Sequence, residues 1–195
     1  MRNLALSLFM LVACPAIGVS EGLTILLEFD SPVAPNALNE LKKESETVLK
    51  NTGLHLAWSL REDYNPADSA SDLVIVKFKG HCAMENYAQL IDERGPLAWT
   101  YSTDGEVLPY SEVSCDKVRN SIRRAMHGGD YARGDALLGR AVGRVLAHEL
   151  VHILANTKQH GKEGVAKTSL SPANLIAERL KLEEADVLRV SKNSR

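Results

Sequence analysis

Charge of one sign is what this sequence has least of. Across 195 residues, 23 Lys and Arg stand against 25 Asp and Glu, a formal net charge of −2. A chain so balanced carries no electrostatic footprint for a polyanion, which sets nucleic-acid binding aside. Long apolar runs are missing as well: outside the N-terminus none approaches the roughly 20 residues of a membrane-spanning helix. Internal repeats, low-complexity tracts and linker-like segments are absent, so a 45% apolar chain of this length fits one domain around one core. Cysteine is scarce, with three residues at Cys14, Cys82 and Cys115. Apart from His81 beside Cys82, they lack histidines at ligand spacing, so they do not read as a zinc site.

What is present begins with an export pattern. Arg2 supplies a short positive region, and Leu4 to Ala13 form an apolar run of signal length, too short to span as a helix. Residues 1–20 are therefore expected to be an export signal, and residues 21–195 the mature domain. Two kinds of processing fit. Ala16, Gly18 and Ser20 are the small residues that ordinary cleavage prefers, giving soluble export to a periplasmic or extracellular location. Leu11-Val12-Ala13-Cys14 resembles a bacterial lipobox, which would place a lipid on Cys14 and make the protein a lipoprotein; an uncleaved N-terminal core helix is a third reading. Either cut leaves Cys82 and Cys115, and an oxidising compartment favours a disulfide between them over two buried thiols.

The periodicities predict an α+β domain with a mixed sheet. Leu23 to Asp30 reads as a buried strand, and Asn36 to Asn51 as a helix closed by Gly53. Leu54 to Leu60 and Asp72 to Lys79 read as strands. Leu97 to Ser102 and Val107 to Val113 are expected to form a hairpin turning at Asp104-Gly105. Pro109 makes the second of these the expected edge strand. Cys115 to Met126 looks helical. Asp135 is expected to cap a long helix running from Ala136 to about Ala155, and Ser171-Pro172 to start a last helix reaching about Val190.

The long helix carries the chemistry. In His148-Glu149-Leu150-Val151-His152 the two histidines are four apart, so they share one helix face and can share one ion. Zinc so held lowers the pKa of water toward about 7 and polarises a carbonyl. Glu149, next to the first ligand, is the candidate general base. A catalytic zinc takes three protein ligands and keeps a fourth position open. The candidate third ligand is His160, which lies past the helix end. Asn156 tolerates the left-handed conformation that would turn the chain back, and Gly161 permits close approach. The rival is Glu178 on the next helix. His55, His81 and His127 read as surface or strand-end residues. A helix face bearing two histidines by chance is the bland alternative for the whole motif.

The segment His148 to Gly161 resembles the zinc signature of metzincin-type metalloproteases, HExxHxxGxxH. His148, Glu149 and His152 match it directly; Ala155 stands at the glycine position and Lys158 at the third histidine. A lysine is protonated at neutral pH and ligates poorly, so His160 is expected to reach the ion through a turn two residues longer. Leu170-Ser171-Pro172 resembles the methionine turn that lies beneath the zinc, with Leu170 in the methionine's place. The order of elements from Leu23 to Ala155 is similar to that fold. The resemblance implies a zincin-like domain, Zn2+ as cofactor, and hydrolysis of a peptide or protein substrate by an exported, monomeric metallopeptidase. The strand around Val107 to Val113 would then pair with the extended substrate. Tyr101 and Tyr110 are candidates for stabilising the oxyanion, beside ordinary core or surface roles. The alternative function is a zinc-bound, non-catalytic peptide-binding protein; retention of Glu149 speaks for turnover.

Overall fold

A computed structural model describes residues 22–66, 72–84 and 94–193; the expected export signal, the lipobox and Cys14 lie outside them. The protein is α+β. Five strands form one mixed sheet: β1 (Gly22–Phe29), β2 (His55–Leu60), β3 (Asp72–Lys79), β4 (Ala98–Thr103) and β5 (Glu106–Ser114), in the order β2-β1-β3-β5-β4. The first three and β5 run parallel, and β4 returns antiparallel along β5. The helices are α1 (Pro35–Leu49), α2 (Cys115–Arg123), α3 (Gly134–Leu154), α4 (Pro172–Ile176) and α5 (Glu184–Asn193). No described helix is long and apolar enough to cross a membrane.

The hydrophobic pattern explains the layering. Ile25, Leu26 and Leu27 are all fully buried, as befits a central parallel strand covered on both faces. In β3 only alternate residues, Val74, Val76 and Phe78, are fully enclosed, so one face of the strand looks into the core. They join Leu41 and Val48 of α1 and Leu138, Val142 and Leu146 of α3 in one apolar cluster. Pro35 opens α1 at a position where its missing N–H costs nothing. Gly53, at φ 80°, ends the short 3-10 turn that follows.

The hairpin turns as expected, with Asp104 and Gly105 both at positive φ (50° and 89°). The edge assignment is corrected: β5 lies inside the sheet and β4 is the edge. Pro109 is accommodated because pairing with β3 begins only at Tyr110. On its other side the register jumps from Thr100↔Ser111 to Ser102↔Val107, leaving Pro109 in a bulge that needs no ladder donor.

Two further expectations are corrected. Asp135 does not cap α3. A 3-10 turn, Gly128–Arg133, runs directly into the helix, and the Asp135 carboxylate instead accepts the Met84 N–H at 2.7 Å. The last helix is two helices. Ser171 and Pro172 do start one, with Ser171 accepting the Asn174 N–H. It stops at Ile176 because the next segment is drawn into tertiary backbone pairing, with Val165 N–H donating to Lys181 O at 2.9 Å. Cys82, just after β3, and Cys115, the first residue of α2, are joined in a disulfide with Cα atoms 5.0 Å apart. Closing a loop of 33 residues stabilises the fold by about 4 kcal/mol in the chain-entropy account.

The long helix is seated by glycines. Without side chains, Gly139 and Gly143 let α1 come into backbone contact with α3. A Cβ at Gly139 would lie 2.8 Å from the Ala37 Cα, and one at Gly143 2.7 Å from the Leu41 carbonyl oxygen. Ser45 fixes the same crossing by donating to Gly143 O at 3.1 Å, and Glu44 pairs with buried Arg144 at 2.7 Å. Gly139→Ala is therefore expected to destabilise the protein by about 1–3 kcal/mol through overpacking, although alanine favours an isolated helix by about 1 kcal/mol. Urea denaturation beside Gly129→Ala, where an added Cβ meets nothing within 4 Å, checks it; equal effects at the two sites would refute the close-packing account.

Candidate metal centre

The C-terminal half of α3 passes beneath the edge strand, and this crossing builds the site. His148 and His152 project from one face of the helix. Their Nε2 atoms are 3.1 Å apart and their ring centroids 4.8 Å apart. Each ring is held from behind by a backbone carbonyl: His148 Nδ1 contacts Val165 O at 2.8 Å, and His152 Nδ1 contacts Thr157 O at 2.7 Å. A carbonyl only accepts, so each Nδ1 carries a proton, and both Nε2 atoms face the shared space. This is the outer support that metal-ligating histidines use.

The chain then doubles back. α3 ends at Leu154, and Asn156 takes the left-handed conformation at φ 42°. Its side-chain oxygen accepts the Val107 N–H at 2.9 Å, tying the helix end to the start of β5. The returning loop brings the His160 ring to 4.8 Å from that of His152 and 5.2 Å from that of His148. Ligand atoms of His148, His152 and His160 all lie within 4.8 Å of one another, the one such group found among the described residues. Lys158 lines the same cleft as these histidines. Glu178 follows α4 in a bend and is not part of the group. His55, His81 and His127 lie elsewhere, on β2, after β3 and before the 3-10 turn.

The donor set suits a zinc-like ion. Two imidazole nitrogens facing each other at 3.1 Å need a proton or a metal cation between them. Two nitrogens on a tetrahedral zinc, with Zn–N of about 2.0–2.1 Å, stand about 3.3 Å apart. Burial pushes the His148 pKa down to about 4, against the Val165 carbonyl, which favours the proton. Burial, then the charge of His152, lowers that of His160. Both shifts keep the rings neutral, the form in which imidazole binds metal.

Glu149 is buried, with its carboxyl lining the cleft. Burial raises its pKa above the ordinary glutamate value, while a hydrogen bond from Thr100 and the nearby His152 pull it part of the way back. A carboxyl whose pKa is raised is a better proton acceptor when ionised. The cleft, of about 640 Å³, has Leu97, Val145 and Leu170 among its apolar wall residues.

Some expected placements are not found. Tyr101 and Tyr110 do not line the cleft: their rings lie 5.2 Å from each other, and Tyr110 donates to Glu112 at 3.0 Å. Leu170 is on the cleft wall, while the backbone that reaches His148 comes from Val165, in the segment between α3 and α4. Thr100, in direct contact with Glu149, carries no signal in the sequence, because a threonine in a strand is ordinary. No protein-family model matches the chain, and no curated protein matches it.

Proposed function

We propose that the protein is an exported zinc metallopeptidase, in which His148, His152 and His160 hold the ion and Glu149 is the general base. The observation that supports this reading most is the convergence of three imidazoles beside a buried carboxylate in an open cleft. A site made only to stabilise the fold is closed by four protein ligands, whereas three histidines leave a position open. Zinc held by the three histidines would supply Lewis acidity toward a carbonyl and acidify water at the open position. Glu149 takes the proton of the attacking water and hands it to the leaving amine, so that the peptide C–N bond breaks as the new C–O bond forms.

The edge strand gives the substrate its place. β4 borders the cleft through Ala98, Trp99, Thr100 and Ser102, and its outer edge is unpaired among the described residues. An extended peptide adding to that edge would run past Glu149 and the histidines. The Cys82–Cys115 bond and the signal-like residues 1–20 support export.

Metal analysis of the purified protein is expected to find stoichiometric zinc. A chelator should abolish cleavage of an unfolded protein substrate, and added zinc should restore it. A zinc-loaded protein that cleaves no member of a broad peptide library would overturn the enzymatic reading; a metal-free protein that cleaves at full rate would overturn the role of zinc.

A further inference from the structure

Behind the candidate base lies a chain of two hydroxyls. Thr100 Oγ1 is 2.5 Å from Glu149 Oε2, and Ser111 Oγ is 2.5 Å from Thr100 Oγ1. Thr100 and Ser111 are a cross-strand pair on β4 and β5, with side chains on the helix-facing side of the hairpin. Ser111 is fully buried, whereas Trp99 and Tyr101, the neighbours of Thr100 on β4, are 57% and 38% exposed on the other face.

The proton inventory fixes the direction of this chain. An ionised carboxylate only accepts, so the single hydroxyl proton of Thr100 goes to Glu149. The Thr100 oxygen must then accept from Ser111, whose own proton is thereby committed. One oxygen of Glu149 is thereby pinned to the sheet. A carboxylate on an otherwise free side chain has several rotamers, and holding it in one geometry is what a base requires for productive proton transfer.

We infer that Thr100 is a positioning residue, oriented by Ser111, that locks the Glu149 carboxylate in its working rotamer and couples it to the edge strand. The inference rests on the peptidase reading for its consequence in turnover, but the lock itself is a property of the protein alone.

The test has one readout without turnover and one with it. In chelated protein, urea denaturation of wild type, Thr100→Val, Glu149→Ala and the double variant forms a thermodynamic cycle. Hydrogen bonds to charged groups predict non-additivity of roughly 10- to 100-fold in the folding equilibrium constant. Effects that simply add would overturn the lock, whatever the protein catalyses. In zinc-loaded protein, Thr100→Val is expected to lower kcat about tenfold or more with zinc content unchanged and KM little changed. Thr100→Ser, which keeps the hydroxyl, should recover most of the rate, and Ser111→Ala should show a smaller loss of the same kind. Thr100→Val turning over like wild type, losing its zinc, or failing to be rescued by serine would overturn the positioning role. A wild type that cleaves nothing, together with strong coupling in the cycle, would sink the peptidase reading and leave the lock standing.

Discussion

Glu149→Gln should bind zinc like the wild type, fold like it, and cleave peptides about 10²–10⁴-fold more slowly. The amide has nearly the shape of the carboxylate. Its carbonyl oxygen can still accept the Thr100 hydroxyl that now reaches Oε2 at 2.5 Å. What it cannot do is take a proton. The three histidines are untouched, because the supports of His148 and His152 come from the carbonyls of Val165 and Thr157 and not from Glu149. The buried position also predicts a side effect of known sign. Burial is the leading influence on the Glu149 carboxyl, and it opposes the charge. A neutral amide escapes that penalty, so the variant should be no less stable than wild type and somewhat more so in the metal-free state. Zinc content by metal analysis, single-turnover rates and urea denaturation on the same preparation separate these effects. A variant that keeps zinc and the wild-type rate would remove Glu149 from the mechanism; one that loses zinc would make it part of the metal site.

How much of this was legible in the sequence follows from where each signal resides. His148, Glu149 and His152 could be read because helical spacing fixes their relation within five residues. The Asp104-Gly105 turn and the Ser171-Pro172 helix start could be read for the same reason: local backbone chemistry decides them. The edge strand could not. Whether Pro109 marks an edge or a bulge depends on which strand lies beside β5, and that is settled by the parallel pairing with β3, more than 30 residues earlier in the chain. The single long last helix failed for a similar reason. The segment after Ile176 has helical periodicity, but the Val165–Lys181 backbone bond takes it out of the helix. Thr100 was illegible altogether, since its partner Glu149 is 49 positions away. His160 sits between these extremes. Its side-chain chemistry marked it, but its approach to the other two rings depends on Asn156 turning the chain back at the end of α3.

That turn makes the third ligand the sharpest test of the site. His160→Ala is expected to weaken zinc retention by more than about 100-fold, since removing even the outer partners of metal ligands commonly costs about 10–100-fold. Lys158→Ala should leave retention nearly unchanged. Lys158 occupies the position where the metzincin pattern has its histidine, but an ammonium with a pKa near 10.4 must lose a proton before it can ligate, whereas His160 already brings an imidazole beside His148 and His152. Glu178→Ala should also retain zinc, because the break after α4 leaves Glu178 outside that group. The effect at His160 should come with little change in the fold. The ring is on an exposed loop, and the turn is held independently by Asn156 accepting the Val107 N–H and by Gly161 donating to Ala166 O at 2.8 Å. Competition for zinc against a chelator of known affinity ranks the three variants. Zinc lost from Glu178→Ala and kept by His160→Ala would give the third position to the downstream segment, and a wild-type affinity in all three would mean that His148 and His152 hold the ion without either.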